Sequence, residues 1–316
     1  MRIAVIGAGG IGGFLAAALA QGGVPVVVVA RGAHLDAIRR DGIVLDRSDF
    51  GPFSARVDAG ADLREFGEVD VILATFKAHQ YEELIPQLAP AVRRGAHLVT
   101  LQNGVPFWFR RTPPLRTVDP CGRIGELFPD TRTIGGVVHV SGHVNAPGHL
   151  EQSGGTRYVL GALDPANRGV LEELVAAMRR ARLEPDVRSD IRHDTWSKLV
   201  NNASYNPASA KLGLSIHQLI EQPAPRALVA ELMRETIAVG RRLGVSAEDG
   251  VEARMAASLA KADVRTSMLQ DIDAHRPLEL DPIVGAVVEL GEDLGVPVPQ
   301  LRAIYDELRE RTAAFS

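Results

Sequence analysis

The sequence feature that most constrains the fold is a glycine motif near the N-terminus. Residues 7–12 read Gly-Ala-Gly-Gly-Ile-Gly, which fits the pattern G-x-G-x-x-G, and they directly follow the apolar run Ile3–Ile6. In a strand–turn–helix unit the first glycine permits a tight turn, the second lets the backbone approach a pyrophosphate, and the third lets helix and strand pack closely. The start of the helix also offers backbone N–H groups to phosphate oxygens. We therefore expect a dinucleotide to be bound by Gly7, Ala8, Gly9, Gly10, Ile11 and Gly12.

The first part of the chain alternates short apolar runs with amphipathic segments. The apolar runs are rich in β-branched residues, as in strands buried on both faces of a parallel sheet. Strand–helix repetition indicates right-handed βαβ units. We predict strands at residues 3–6, 25–29, 69–75 and 97–101, and helices at 11–21, 34–40 and 81–92. Three more strands, antiparallel or mixed, are predicted at the sheet edge (135–141, 143–152 and 157–160). A helix at 168–182 and a strand at 184–187 complete this part.

The chain becomes helical in pattern after Ser189. Apolar residues recur there at the i, i+3, i+4 spacing of amphipathic helices. We predict helices at residues 191–206, 215–221, 225–243, 247–261, 282–294 and 299–313. Residues 108–130, rich in Pro and Arg and without a clear period, are predicted to be a surface excursion. The expected architecture is an α/β Rossmann-type domain with a parallel doubly wound sheet over residues 1–189, and an all-α substrate and dimerisation domain over residues 190–316.

Composition excludes several classes of protein. The 316 residues carry a formal net charge of −4, so a nucleic-acid-binding surface is not expected. No apolar stretch approaches the ~18 residues of a membrane span, and the N-terminus does not have the pattern of a signal peptide. The single cysteine, Cys121, excludes an internal disulfide framework and fits a reducing, cytoplasmic location. No Cys/His cluster has metal-ligand spacing and the nine histidines are scattered, so we expect no metal site.

Two basic residues bear on the choice of cofactor. The second predicted strand leads into Arg31, where an NAD-binding domain would have Asp or Glu for the ribose 2′-hydroxyl. A guanidinium pairs instead with a 2′-phosphate, which favours NADP, although a solvated arginine at a strand end is the alternative interpretation. Lys77 follows the strand at residues 69–75, from where it could reach the adenosine or its phosphate, or could remain a solvated loop residue.

Polar residues after residue 100 form the candidate site. Lys198, Asn202 and Asn206 are spaced i, i+4, i+8 on a predicted helix and therefore share one face, which could also be a solvated polar face. Asn103 lies in a Gln-Asn-Gly triplet just after a strand, a pattern that is also a common turn. Ser267 begins a capping box with Gln270, and capping alone would explain it.

Glu279 lies between two prolines in a segment that cannot be the middle of a helix. A solvated loop carboxylate is the ordinary alternative for this residue. No G-x-S-x-G motif is present, so the residues do not support acyl transfer by a serine nucleophile. The catalytic groups that the residues do support are a nicotinamide-binding site, a lysine and a set of amide side chains.

Taken together, these motifs resemble the ketopantoate reductases (2-dehydropantoate 2-reductases) over nearly the whole chain. The most specific of them are Lys-x-x-x-Asn-x-x-x-Asn-Pro at residues 198–207, and Ser-Met-Leu-Gln-Asp at 267–271 with Glu279 twelve residues after Ser267. The resemblance implies a Rossmann-type domain that binds NADPH, a helical domain, and ketopantoate in the cleft between them. The chain departs from the family at residues 211–216, where members commonly carry another substrate-binding asparagine.

The resemblance also implies a role for each site residue. Lys198 would be the general acid, and Glu279 would engage the substrate hydroxyl. The remaining side chains would orient substrate or cofactor (Asn103, Asn202, Asn206 and Ser267) or lie near the 2′-phosphate (Arg31 and Lys77). Hydride transfer to a C2 ketone leaves an alkoxide, which a protonated amine can neutralise. A dry environment lowers the pKa of lysine from about 10.4, whereas a nearby carboxylate raises it.

The expected function is the NADPH-dependent reduction of 2-dehydropantoate to (R)-pantoate, a step of pantothenate biosynthesis. One alternative is the reduction of another branched 2-oxo acid on the same scaffold. A second is a nucleotide-sensing protein that has lost catalysis, against which the presence of both Lys198 and Glu279 argues. The expected partners are a small 2-oxo acid and a second copy of the chain in a homodimer, without nucleic acid or membrane.

Overall fold

A computed structural model describes residues 1–245 and 249–315 of the chain. The chain divides into two compact units. The first comprises Met1–Gln102 and Ile124–Ile191, and the second comprises Asn103–Arg123 and Arg192–Ser316. Residues 103–123 therefore belong with the C-terminal helices, although they lie within the first 189 residues. None of the helices in the described ranges combines the length and the apolarity that crossing a bilayer requires.

The first unit is a mostly parallel sheet covered by helices, as the sequence predicts. Its strands are β1 (Ile3–Ile6), β2 (Val26–Val29), β3 (Ile43–Arg47), β4 (Phe53–Ala55), β5 (Asp58–Gly60), β6 (Val71–Ala74), β7 (His97–Thr100), β8 (Thr133–Ala146), β9 (His149–Ala162) and β10 (Glu184–Val187). Its helices are α1 (Gly10–Gln21), α2 (Gly32–Asp41), α3 (Tyr81–Arg93), α4 (Arg123–Leu127, at the junction) and α5 (Arg168–Arg180).

The strand order is β4-β3-β9-β8-β7-β6-β1-β2-β5, with β10 paired to β9. The ladders β3–β4 and β8–β9 are antiparallel, and the other pairs are parallel. All four residues of β1, β2, β6 and β7 are buried, which explains the uninterrupted apolar character of β1, β2 and β6; β7 also buries the polar side chains of His97 and Thr100. Helix α1 is also buried on most of its surface because it packs against β8 and β9 as well as β1 and β2.

The prediction of three edge strands between residues 135 and 160 is wrong. The structure has two strands of 14 residues, β8 and β9, and both lie inside the sheet. Their register shifts at several positions, and Gly154 and Gly155 have positive φ within β9. Glycines inside a strand are typical of β-bulges and resemble turns in a sequence. The short strands β3, β4 and β5 are not in the prediction, because three to five residues with charges leave little pattern.

The second unit is all-α, as expected. Its helices are α6 (Ile191–Leu212), α7 (Ile216–Glu221), α8 (Pro223–Arg242), α9 (Val251–Leu259), α10 (Ser267–Asp273), the π-helix Asp281–Gly285, α11 (Ala286–Leu294) and α12 (Pro299–Arg311). The predicted helix at 247–261 begins on residues 247–248, which lie outside the described residues. Helix α6 continues through Pro207, beyond its predicted end. The cap of α10 is Thr266, whose hydroxyl accepts from the backbone N–H of Leu269, so the predicted Ser267 capping box is wrong by one residue.

Residues 108–130 are not a surface excursion, because aromatic residues anchor them in the interior. Trp108 and Phe109 are buried, and the Phe109 ring stacks on Trp196 of α6 with centroids 5.6 Å apart. Phe128 is buried as well. Short turns rather than a regular helix present these side chains, so no hydrophobic period marks them in the sequence.

Glu289 of α11 ties the inserted segment to the C-terminal helices. Its buried carboxylate accepts hydrogen bonds from the backbone N–H of Arg116 (2.9 Å), the backbone N–H of Thr117 (3.0 Å) and the Thr117 hydroxyl (2.9 Å). Buried donors of this kind are costly to leave unpaired. One side chain therefore satisfies the backbone at the middle of the segment.

Glu289→Gln should destabilise the protein, because glutamine offers one acceptor oxygen to four donors, the Arg110 guanidinium included, and turns an N–H₂ group toward some of them. We expect the free energy of unfolding to fall by about 2–4 kcal/mol, since a hydrogen bond to a charged group contributes about 1.5–3 kcal/mol. Urea unfolding followed by circular dichroism measures this change. Glu310→Gln, at an exposed position of α12, is the matched control and should stay within about 0.5 kcal/mol of the parent. Equal stability of the two variants would contradict the role given to Glu289.

Candidate active site

The glycine motif forms the turn between β1 and α1. Gly7 has a φ of +98°, which favours glycine. A Cβ atom at Gly12 would lie 2.0 Å from the Gly7 carbonyl oxygen, so only glycine allows the helix to pack this closely. Gly9, by contrast, is exposed at the start of α1, and a Cβ there would meet nothing within 4 Å. An open backbone at a helix N-terminus fits the approach of a pyrophosphate.

Two residues, Gly10 and His34, support this turn through contacts that the sequence does not reveal. A Cβ at Gly10 would lie 2.2 Å from the carbonyl oxygen of Gly142 in β8, so Gly10 is needed for packing. His34 of α2 accepts a hydrogen bond from the Gly148 backbone N–H at Nδ1 (3.0 Å). Its Nε2 therefore carries the proton that is donated to the Ala8 carbonyl oxygen (2.8 Å). A single histidine on a helix carries no sequence pattern that reveals these two contacts.

Arg31 and Lys77 lie at the carboxyl edge of the sheet, where β1, β2 and β6 end. Since β2 and β6 flank β1 and all three are parallel, this is the switch point at which such folds bind ligands. Arg31 precedes α2 and is exposed, and its Nη1 donates to Oε1 of Glu83 in α3 at 2.6 Å. A phosphate that approaches Arg31 therefore competes with a carboxylate. Lys77 is half-buried and begins the turn after β6.

In the second unit, three predicted residues from distant parts of the chain meet. Lys198 of α6 donates from Nζ to Oδ1 of Asn103 at 2.9 Å. Nδ2 of Asn103 lies 3.4 Å from Oε2 of Glu279, a long hydrogen bond. Glu279 lies in the non-helical segment that ends at the π-helix, as the flanking prolines predict. The amide of Asn103 thus bridges a cation and a carboxylate.

Burial dominates the electrostatics of this cluster. Desolvation lowers the pKa of Lys198 from the ordinary value of 10.5 to about 8, and the negative charge of Glu279 opposes that effect. The ammonium form is disfavoured because a low-dielectric environment replaces its hydration shell. A lysine with this pKa is mostly protonated at neutral pH and still releases its proton readily.

Asn202, Asn206 and Ser267 are the remaining predicted side chains of this unit. Asn202 and Asn206 follow Lys198 on α6, and their four-residue spacing places all three on one face. Asn206 is buried and Asn202 is half-buried. Ser267 is exposed, and Thr266 rather than Ser267 caps α10. The hydrogen bonds found among the described residues join none of these three to Lys198 or Asn103, so their roles stay predictions. In the same ranges no group of three or more His, Cys, Asp or Glu side chains is arranged to hold a metal.

Comparison with known proteins gives the family. A family model described as ketopantoate reductase PanE/ApbA matches residues 3–165, and its C-terminal counterpart matches residues 190–312. The chain belongs to the ketopantoate reductase family. It is therefore an oxidoreductase of Rossmann-type fold.

Individual relatives agree with this assignment. A 2-dehydropantoate 2-reductase from Mesorhizobium japonicum is 38% identical, over 98% of this chain and 97% of that protein. The crystal structure of 2-dehydropantoate 2-reductase from Geobacter metallireducens is 28% identical with a TM-score of 0.86, over 98% of this chain and 100% of that one. A ternary structure of D-mandelate dehydrogenase with NADH and anilino(oxo)acetate shares the fold at 20% identity, with a TM-score of 0.87 over 100% and 99% of the two chains.

The titration of Lys198 can be measured directly, because the chain contains only four lysines. With ¹³C-labelled lysine, the signal that is missing in Lys198→Met should titrate with a midpoint near pH 8. In Glu279→Gln the midpoint should fall, because the carboxylate that favours the ammonium form is gone. A midpoint near the free value of about 10.4 would contradict the burial of this amine.

Proposed function

We propose that the protein reduces 2-dehydropantoate (ketopantoate) to (R)-pantoate with NADPH, a step of pantothenate biosynthesis. The observation that carries this proposal is the hydrogen bond between Lys198 and Asn103, beside the carboxylate of Glu279. This arrangement offers a buried proton donor, an amide that fixes its position, and an acceptor for a substrate hydroxyl. Membership of the ketopantoate reductase family supports the choice of substrate.

The cofactor contacts come from the first unit. The backbone of residues 7–12 would hold the pyrophosphate, and Arg31 and Lys77 would contact the 2′-phosphate. The open space at Gly9 and the exposed guanidinium of Arg31 both fit these roles. NADPH, when bound, supplies the hydride that is transferred to C2 of the 2-oxo acid.

Lys198 supplies the proton. Hydride transfer to the C2 carbonyl places negative charge on its oxygen, and the ammonium group of Lys198 donates a proton to that oxygen. The amide oxygen of Asn103 accepts a hydrogen bond from one of the three N–H groups of Lys198 and so orients the other two. The pKa near 8 keeps the donor charged at neutral pH, and it makes the proton transfer more favourable than from an ordinary lysine.

Glu279 has two functions in this proposal. Its carboxylate accepts a hydrogen bond from the hydroxyl of ketopantoate, which selects this acid over analogues without a hydroxyl. Its charge also holds the pKa of Lys198 higher than burial alone would. Asn202, Asn206 and Ser267 orient the substrate or the cofactor.

The protein is further proposed to act in the cytoplasm as a homodimer. A dimeric ketopantoate reductase from Staphylococcus aureus has the same fold, at 20% identity over the full length of both chains. The single cysteine is in keeping with a reducing compartment.

Arg31→Ala should weaken NADPH binding about tenfold or more and leave NADH binding unchanged, because a charge-assisted hydrogen bond to the 2′-phosphate is lost. Fluorescence titration of both cofactors measures the two Kd values. Glu83→Gln is the matched control: it removes the carboxylate that competes for Arg31, so NADPH should bind about two- to fivefold more tightly. Wild-type protein that binds both cofactors equally would exclude selection by Arg31.

NADPH oxidation with a panel of 2-oxo acids tests the substrate. Wild-type protein should have a higher kcat/KM for ketopantoate than for 2-oxoisovalerate, which lacks the hydroxyl. Glu279→Gln should lower kcat/KM about 10- to 100-fold for ketopantoate and much less for 2-oxoisovalerate. Lys198→Met, the control for the chemistry, should lower kcat for both acids by about 10²–10⁴. A wild-type preference for the hydroxyl-free acid would indicate a reductase of another branched 2-oxo acid.

A further inference from the structure

Glu279 and Asn103 are both connected to the π-helix Asp281–Gly285. The helix begins two residues after Glu279, and its Pro282 carbonyl oxygen accepts a hydrogen bond from the Val105 backbone N–H at 2.7 Å. Gly104 has a φ of +85°, and a Cβ there would lie 2.5 Å from the same oxygen. The turn that carries Asn103 therefore packs directly on the backbone of the π-helix. Single π-helical turns occur frequently at functional sites.

Tyr305 of α12 holds the start of this π-helix. Its hydroxyl donates to Oδ1 of Asp281 at 2.6 Å, and the side chain is buried. The ring also packs on the end of the π-helix, since a Cβ at Gly285 would lie 2.9 Å from its Cε2 atom. Burial, together with Asp281, raises the pKa of Tyr305 to about 12, so the hydroxyl remains a donor at neutral pH.

We infer that Tyr305 is a positioning residue for the reduction proposed above: through Asp281 it holds the π-helix, which in turn holds Glu279 and Asn103 against Lys198. This inference rests on the proposed function for its kinetic consequences, but its structural part does not. Tyr305 itself is placed in contact with neither substrate nor cofactor.

The geometry of the Lys198, Asn103 and Glu279 cluster makes it sensitive to the position of the π-helix. The contact between Asn103 and Glu279 is already long at 3.4 Å, so a small displacement of the π-helix breaks it. Asp281 is two residues from Glu279, and Val105 is two residues from Asn103, so both partners move when the π-helix moves. A misplacement of about 1 Å can lower the rate of an enzyme about 100-fold.

Tyr305→Phe tests the inference, because it removes the hydroxyl and keeps the packed ring. We expect kcat/KM for ketopantoate to fall about 10- to 100-fold, with the Kd of NADPH within about twofold of the parent. The midpoint of Lys198 in the lysine NMR titration should also fall, because Glu279 moves away and no longer raises the pKa of Lys198. A role in stability alone would not change that midpoint.

Three variants serve as controls. Tyr158→Phe removes another buried hydroxyl, one without a hydrogen-bond partner among the residues that the structure describes, and should change neither kcat/KM nor the Lys198 titration. Asp281→Asn retains an acceptor for Tyr305 and should remain close to the parent. Asp281→Ala removes the acceptor and should reproduce the loss seen in Tyr305→Phe, and combining these two changes should add little further loss.

A folded Tyr305→Phe protein with parental kcat/KM and an unchanged Lys198 midpoint would overturn the inference. If that variant fails to fold, the contrast between Asp281→Asn and Asp281→Ala decides in the same way. If the wild-type protein does not reduce ketopantoate, the proposed function fails, but the NMR titration still tests the positioning role without substrate or cofactor.

Discussion

The desolvated ammonium group of Lys198, on a side chain that is itself half-buried, is the constraint on which the candidate site of the second unit depends. A charged amine loses hydration when it is buried, and only nearby polar groups can offset that loss. Here the neutral amide of Asn103 accepts a hydrogen bond from the ammonium group, and the carboxylate of Glu279 acts from the other side of that amide. The pKa of Lys198 is therefore near 8, below that of a free lysine and above the value that burial without Glu279 would give. Asn103, the π-helix and α12 all contribute to this environment from outside α6.

At the carboxyl edge of the sheet, where the cofactor is proposed to bind, the charges are exposed rather than desolvated. Arg31 and Glu83 are both more than half accessible, so their ion pair is weak and easily exchanged for a phosphate. The shape of this edge is set instead by close backbone contacts, at Gly10 and Gly12, that no side chain could replace. Rigidity at this edge therefore comes from close packing, and the cofactor selectivity proposed for Arg31 rests on an exposed charge. In the first unit, packing and charge belong to different groups, whereas in the second unit the side chain of Lys198 is both desolvated and charged.

The sequence predicts the central strands β1, β2 and β6 well because burial on both faces leaves an unbroken apolar run, and β1 has the predicted bounds. The antiparallel pair β8 and β9 is predicted poorly, since bulges and glycines interrupt its alternation. Spacing alone would not join Lys198, Asn103 and Glu279, and only the family resemblance predicted that they act together. His34 and Tyr305 were beyond prediction, because they act through contacts to residues far away in the chain and belong to no motif.

The inserted segment 103–123 makes the second unit discontinuous in sequence. A fragment that began at residue 190 would have all the long helices of the second unit. It would lack Phe109, whose ring stacks on Trp196, and the backbone N–H groups from which Glu289 accepts hydrogen bonds. In that fragment Trp196 would lose the ring stacked on it, and the carboxylate of Glu289 would lose its backbone donors. The boundary between the two matched family regions is therefore not a place where the chain can be divided into independent parts. During synthesis, the helical core is completed by residues that leave the ribosome long before the helices themselves.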